Sequence, residues 1–378
     1  MPDAIYIHIP FCLTKCPYCS FASRSCSGEP PAWYIEALIR QAERLARHPR
    51  IRKRRFGSLF IGGGTPTIYS GEALSRLLAA CRRFFLLSDD AEISVEANPN
   101  TVNEDKFAIL KKAGVNRISI GVQTFEDHLL TAIGRSHSRA EALAALRAAR
   151  AAGFSNLSLD LIYGLPGQQV GDLVFSLAAA FAFEPEHISL YELMVEEGTP
   201  FAVRAALGEL VLPDEAEMLA MESGAFDLLY RHGYERYEIA NFSRPGFSCR
   251  HNINYWQNGS YLGLGAGAVS CLDGLRIRNV ADPEKYGALI FAGRQPFVEV
   301  ERLDKEARFR ETVIMGLRMT GGIELDGLEQ RFGISVITYY GKIIEEIVRQ
   351  GLLAIVAGRL RLTASGLLFA NQVLSQLV

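Results

Sequence analysis

Between residues 4 and 195 the chain alternates strand-like and helix-like patterns, and this alternation restricts its fold more than any other feature. Alternating or continuous apolar runs predict strands over 4–9, 58–61, 92–97, 117–122, 157–162 and 187–193. Helical periodicity fills the intervals at 33–46, 72–85, 104–113, 139–152 and 171–182. Gly114 and Gly153 follow two of these segments, where helices end on a left-handed residue. Strands separated by helices pair in parallel, so the reading is α/β. Six βα units predict an incomplete, TIM-like (β/α)6 barrel, with an open doubly wound sheet as the alternative.

Chemistry-bearing residues fall where such a barrel keeps its site, just after the strands. Cys12, Cys16 and Cys19 follow the first strand in a C-x3-C-x2-C pattern, and Gly62-Gly63-Gly64-Thr65-Pro66 follows the second. Glu96 and Asn98 end the third and Gln123 the fourth, while Asp160 and Tyr163 lie in and near the end of the fifth. Singly, each has a mild explanation: a tight turn, an N-cap, a satisfied core polar group. Their convergence on one face points to a site.

Three thiolates on a short loop suit an iron–sulfur cluster and leave one iron open. Zinc sites add a second Cys pair or histidines at ligand spacing, and none follows here. Cys26, Cys81, Cys249 and Cys271 are scattered and read as structural. An open iron can be chelated by an amino acid's amine and carboxylate, and S-adenosylmethionine (SAM) carries both. Glycine at 62–64 permits close backbone approach to the amine. Glu96, Gln123 and Asp160 offer acceptors for amine or ribose hydroxyls, and the Arg135 fork suits the carboxylate.

The 378 residues carry a net charge of −2, against nucleic acid as a partner. Seven cysteines, three of them in one loop, fit a reducing compartment, and no long apolar span or targeting segment is evident. A cytoplasmic location is the expectation. The basic run Arg50, Arg52, Lys53, Arg54 and Arg55 reads as a solvated helix-to-strand connection.

Past residue 200 the texture changes. A helix is predicted over 214–231 and a strand over 234–241, followed by a loop with Pro245 and Gly246 that leads to Arg250-His251-Asn252-Ile253-Asn254-Tyr255-Trp256. A glycine-rich run, Gly263 to Gly267, comes next. From Asp304 helical segments end in a hairpin-like piece at 353–362 bearing Arg359 and Arg361, a winged-helix-like α+β pattern. Without a strong basic excess, a lid or docking role is favoured over DNA binding. The expected divisions are a barrel at 1–200, an extension at 201–300 and a terminal module at 301–378.

Together, Tyr6-Ile7-His8-Ile9-Pro10-Phe11-Cys12, the cysteine triplet, Gly62–Pro66, Glu96-Ala97-Asn98-Pro99, Gly121-Val122-Gln123 and Asp160–Pro166 resemble the radical SAM superfamily, in its coproporphyrinogen dehydrogenase-like (HemN-like) branch. The resemblance implies a partial radical SAM barrel and a [4Fe-4S] cluster on Cys12, Cys16 and Cys19. It also implies SAM contacts from Tyr6, Tyr18, Gly63, Gly64, Thr65, Glu96, Gln123, Arg135 and Asp160.

Two departures matter. Phe21 stands where the dehydrogenases place a fourth cysteine, and their N-terminal extension is missing, since Tyr6 is already in the first strand. Both features resemble the HemW branch, regarded as haem chaperones, whose HN-x-x-YW signature is matched from His251 to Trp256. That implies haem as cargo, with His251 as its candidate axial ligand, a haem-acceptor protein that can be membrane-associated, and a flavodoxin- or ferredoxin-like reductant. By itself, without the resemblance, His251 reads first as a hydrogen-bonded loop histidine and only second as a haem ligand. The alternative function is oxygen-independent coproporphyrinogen III dehydrogenation, and the need for SAM cleavage is open.

Overall fold

Six strands lie side by side in chain order, all parallel: β1 (Asp3–Ile9), β2 (Arg55–Gly63), β3 (Leu86–Ala97), β4 (Arg117–Gln123), β5 (Leu157–Tyr163) and β6 (His187–Glu192). A doubly wound sheet reverses its strand order at a switch point. No reversal interrupts these six, so they form the partial barrel. The computed structural model describes residues 3–26 and 28–378.

The two faces of each strand explain the layering. Ile5, Ile7 and Ile9 of β1, Leu59 and Ile61 of β2, and Ile118 and Ile120 of β4 join the large core beneath the helices. Each contributes about 1.5–3 kcal/mol through burial. The alternate positions carry Tyr6 and His8, Ser58, Glu92, Ser94 and Glu96, Arg117 and Ser119, Ser158 and Asp160, and His187 and Ser189. Period-two alternation places this polar set on the opposite, inner face. Helices form where the apolar stripe recurs at helical spacing. Helix Arg139–Ala151 also starts on a capping box, with Ser138 and Glu141 each satisfying the other's backbone.

The sheet grows beyond the six strands at both edges. β7 (Glu235–Arg236) and β8 (Asn241–Ser243) extend it antiparallel at β6. The predicted continuous strand over 234–241 is therefore broken. The Arg236 guanidinium donates to the carbonyls of Glu238 and Ile239, and Glu238 bridges to Met319. At the other edge β9 (Tyr261–Leu264) runs parallel to β1, followed by the antiparallel β10 (Val269–Leu272), β11 (Leu275–Asn279) and β12 (Phe297–Arg302). The glycine-rich run is thus partly strand. A Cβ at Gly263 would lie 2.1 Å from the Val269 carbonyl oxygen, and one at Gly265 2.5 Å from that of His8. Close backbone approach demands glycine at both.

The terminal module has its own core. Helix Lys305–Gly316 precedes β13 (Ile323–Glu324), three helices (Leu325–Phe332, Val336–Tyr340, Lys342–Arg349) and the hairpin β14 (Leu353–Val356) and β15 (Arg359–Leu362). β13 pairs with β15, the winged-helix arrangement. Arg359 is committed to the carbonyls of Gly321 and Gly322, at 2.7 and 2.8 Å. In the basic run, Arg54 pairs with Asp3 and Asp273, whereas Arg50, Arg52, Lys53 and Arg55 are exposed. Among the described residues no helix is long and apolar enough to cross a membrane.

Candidate cluster and cofactor site

The loop after β1 is held by a short parallel ladder in which Phe11 and Cys12 pair with Arg24 and Ser25. Cys26 N–H donates to the Cys12 carbonyl at 2.8 Å, and Cys19 N–H to that of Cys16 at 3.1 Å. Below the loop, His8 Nε2 meets the Ala22 carbonyl at 2.9 Å. A carbonyl only accepts, so Nε2 carries the proton and Nδ1 accepts from Tyr6 O–H at 2.9 Å. His8 therefore buttresses the cysteine loop from the barrel side.

The loop after β2 presses against this one. Gly64 N–H donates to the Ile9 carbonyl at 2.7 Å and Thr65 N–H to that of Phe11 at 2.8 Å. A Cβ at Gly64 would stand 2.6 Å from the Phe11 carbonyl and 2.9 Å from Cys12 Sγ. Gly63, at φ 113°, would drive a Cβ to 2.5 Å from the His8 ring. Its N–H instead donates to Glu96 Oε2 at 3.0 Å.

The two loops open into a cavity of ≈ 460 Å³. All three cysteines line it, together with Tyr18, Gly63, Gly64, Thr65, Glu96, Gln123, Arg135 and Asp160. Arg135 ties the halves together: Nη1 lies 3.6 Å from Cys16 Sγ, while Nη2 donates to Asn98 Oδ1 at 2.9 Å and the Gly121 carbonyl at 2.7 Å. Asn98 in turn donates to Thr65 Oγ1 at 3.1 Å. Gln123 sits at φ 67° beyond a register shift in β4, an uncommon conformation for a residue with a side chain. Ser119 Oγ donates to Asp160 at 3.0 Å.

The site's acids are held toward their neutral form. Burial, then Asp160 nearby, pushes the Glu96 carboxyl up to about 8. Burial also raises Asp160, against the pull of hydrogen bonds from Ser189 and Ser119. Burial raises the Cys12 thiol, partly offset by Thr65 and Ser23. Two buried acids whose ionisation is disfavoured by burial favour a cationic ligand that supplies the missing positive charge.

The donor set fits a cluster with SAM. Three thiols converge on one cavity, the missing Cβ of Gly64 leaves room beside the Cys12 sulfur, and Arg135 Nε is buried with no partner among the described residues. Among the described residues no His, Cys, Asp and Glu side chains group tightly enough for a single metal ion. Cys12, Cys16 and Cys19 would each hold a different iron of a cluster, which does not require them to surround one ion.

Two expected site residues lie elsewhere. Tyr6 is outside the cavity lining and stands one layer deeper, its ring 6.3 Å from that of His251. The expected loop at His251 is a helix, Arg250–Trp256, whose first turn is capped by Glu92: the carboxylate accepts from the N–H groups of Arg250 and His251 at 3.0 and 3.1 Å. His251 is 2 % exposed, stacked on Phe60 at 5.0 Å and bonded through Nδ1 to Ser58 Oγ at 3.0 Å. Burial, with Arg117 adding, lowers it to about 3. It is a buried, neutral residue outside the cavity lining in this conformation. The signature's other end docks on the terminal module, where Arg318 covers the Trp256 ring at 4.9 Å.

Sequence reasoning did not single out Ser119, Arg117 or Tyr191. The signal available was the polar alternation within each strand.

The chain matches the radical SAM superfamily model over residues 6–178 and the HemN C-terminal domain model over 303–369. A heme chaperone HemW of Lactococcus lactis is 37 % identical, covering 98 % of this chain and 96 % of the relative. Those of Bacillus subtilis (37 %, covering 97 % of each chain) and Escherichia coli (35 %, covering 99 % and 97 %) are similarly related. The structure of coproporphyrinogen III oxidase (HemN) from E. coli, a radical SAM enzyme, superposes with a TM-score of 0.86 at 24 % identity, covering 100 % of this chain and 90 % of that one. At that identity the likeness speaks for the fold.

Proposed function

The chain belongs to the HemW family of the radical SAM superfamily, and from that membership we propose that it is a haem chaperone, holding a cluster and SAM in the cavity and delivering haem to an acceptor protein. The observation that carries the cofactor half is the convergence of three thiols, Arg135, Glu96 and Asp160 on one cavity. Cys12, Cys16 and Cys19 would hold the cluster. Arg135 would hold the SAM carboxylate, and Glu96 and the Gly63–Thr65 backbone its amine. Gln123 and Asp160 would accept from ribose hydroxyls, with Tyr18 lining the same cavity. When bound and reduced, a SAM-liganded cluster can supply a carbon radical. The chain's own part is to fix the ligand and exclude water.

Phe21, in place of a fourth cysteine, favours carriage over porphyrinogen oxidation. The intact cofactor cradle keeps coproporphyrinogen III dehydrogenation as the second reading. The discriminating experiment supplies anaerobically reconstituted protein with SAM, a low-potential reductant and coproporphyrinogen III, and in parallel loads it with haem and adds apomyoglobin. The proposal predicts haem transfer and no sustained porphyrinogen turnover. Many turnovers to protoporphyrinogen would establish the dehydrogenase.

A further inference from the structure

Large apolar side chains are exposed around the mouth of the cofactor cavity: Phe21 is 63 % exposed, Met194 59 % and Tyr191 42 %, and all three line it. Their positions are fixed by the backbone. Ser23 N–H donates to the Phe21 carbonyl at 2.6 Å, a tight turn that presents the ring outward. Leu193, beside Met194, is buried and its N–H donates to the Tyr163 carbonyl at 2.9 Å. The polar floor is occupied by groups suited to SAM; the apolar rim has no role in that chemistry.

We propose that this rim is the haem seat, with the macrocycle lying across the cavity mouth on Phe21 and Tyr191 and its iron ligated by the Met194 thioether. This rests on the haem-carrier reading. Aromatic faces suit a flat macrocycle, and methionine is an axial ligand of haem iron. Among the rim side chains Met194 can ligate without losing a proton. The Tyr191 hydroxyl reaches inward toward Ser189 and Asp160, where burial holds it well above the ordinary phenol range. Charge sets the orientation. Among the described residues Lys15 Nζ engages the carbonyls of Phe21 and Ser23 and no carboxylate, leaving its charge open to a propionate, whereas Glu192 and Glu196 line the other side. His251, buried and outside the cavity lining, offers no comparable access.

The test titrates haemin into cluster- and SAM-loaded protein and follows the Soret band and the ferric sulfur-to-iron charge-transfer band. Wild type, Met194→Leu, Phe21→Ala and His251→Gln are compared. Phe21→Ala is expected to bind about tenfold more weakly, the loss of one aromatic platform. Met194→Leu is expected to lose the charge-transfer band and to weaken binding by a similar factor. Both positions are exposed, so both variants fold. Wild-type affinity and spectrum in both would overturn the rim seat while leaving the carrier reading standing, as would loss of binding in a folded His251→Gln alone. No saturable binding by wild type would overturn the carrier reading itself.

Discussion

Arg135 Nη1 lies 3.6 Å from Cys16 Sγ, so one guanidinium joins the cysteine loop to the strand-end residues that surround it. Its other terminal nitrogen donates to Asn98 and to the Gly121 carbonyl. Burial works against this charge, and the Tyr18 and Cys16 groups beside it hold the guanidinium above its usual range. A lysine carries the charge but not the fork. Arg135→Lys is predicted to weaken SAM binding about ten- to a hundredfold, the value of one or two charge-assisted hydrogen bonds. Equilibrium dialysis with reconstituted protein measures it, and unchanged affinity would remove Arg135 from the SAM site.

Gly64 offers a purely steric test. A Cβ there meets the Phe11 carbonyl at 2.6 Å and Cys12 Sγ at 2.9 Å, and both belong to the loop that must carry the cluster. Gly64→Ala is predicted to fold but to hold less than half of the wild-type iron and sulfide after reconstitution. Elemental analysis per chain checks this.

Glu96 makes cofactor binding pH-dependent. Its folded value is raised to about 8, so the folded chain retains a proton that the unfolded chain releases near 4.5. The associated stability is present at low pH and is lost as pH rises through about 8. The fixed positive charge of the SAM sulfonium favours the ionised carboxylate. SAM affinity is therefore predicted to rise between pH 6.5 and 8.5, and Glu96→Gln to flatten the profile. Calorimetric titrations at several pH values provide the measurement.

His251 acts in the opposite sense. Its folded value is lowered to about 3 from an ordinary 6.5, so below pH 6.5 the unfolded chain binds a proton that the native floor refuses. Stability is predicted to decline from pH 6.5 toward 3, and His251→Gln to remove part of that decline. The same variant loses the stacking on Phe60 and is predicted to cost about 1–3 kcal/mol at pH 7. Denaturant titrations at pH 7 and 5 separate the two effects.

Much of this architecture was legible before the coordinates. The six βα units, the cysteine loop and the strand-end residues rest on local patterns, and a parallel barrel gathers such residues at one end by construction. Tertiary effects hid the rest. β9 was obscured because Gly263 and Gly265 answer to neighbouring backbones rather than to strand propensity. The strand predicted over 234–241 broke where Glu238 turned to the terminal module. His251 was grouped with the haem by its motif, but period-two alternation within β2 brings Ser58 and Phe60 to meet it at the floor. Gln123's left-handed backbone has no sequence signature.

The most direct measurement of the central claim is an anaerobic haem titration of the cluster- and SAM-loaded chain, followed by Soret absorbance. The account predicts a saturable isotherm with one haem per chain that leaves the SAM bound intact. The absence of saturable binding, with the cluster and SAM in place, would contradict it.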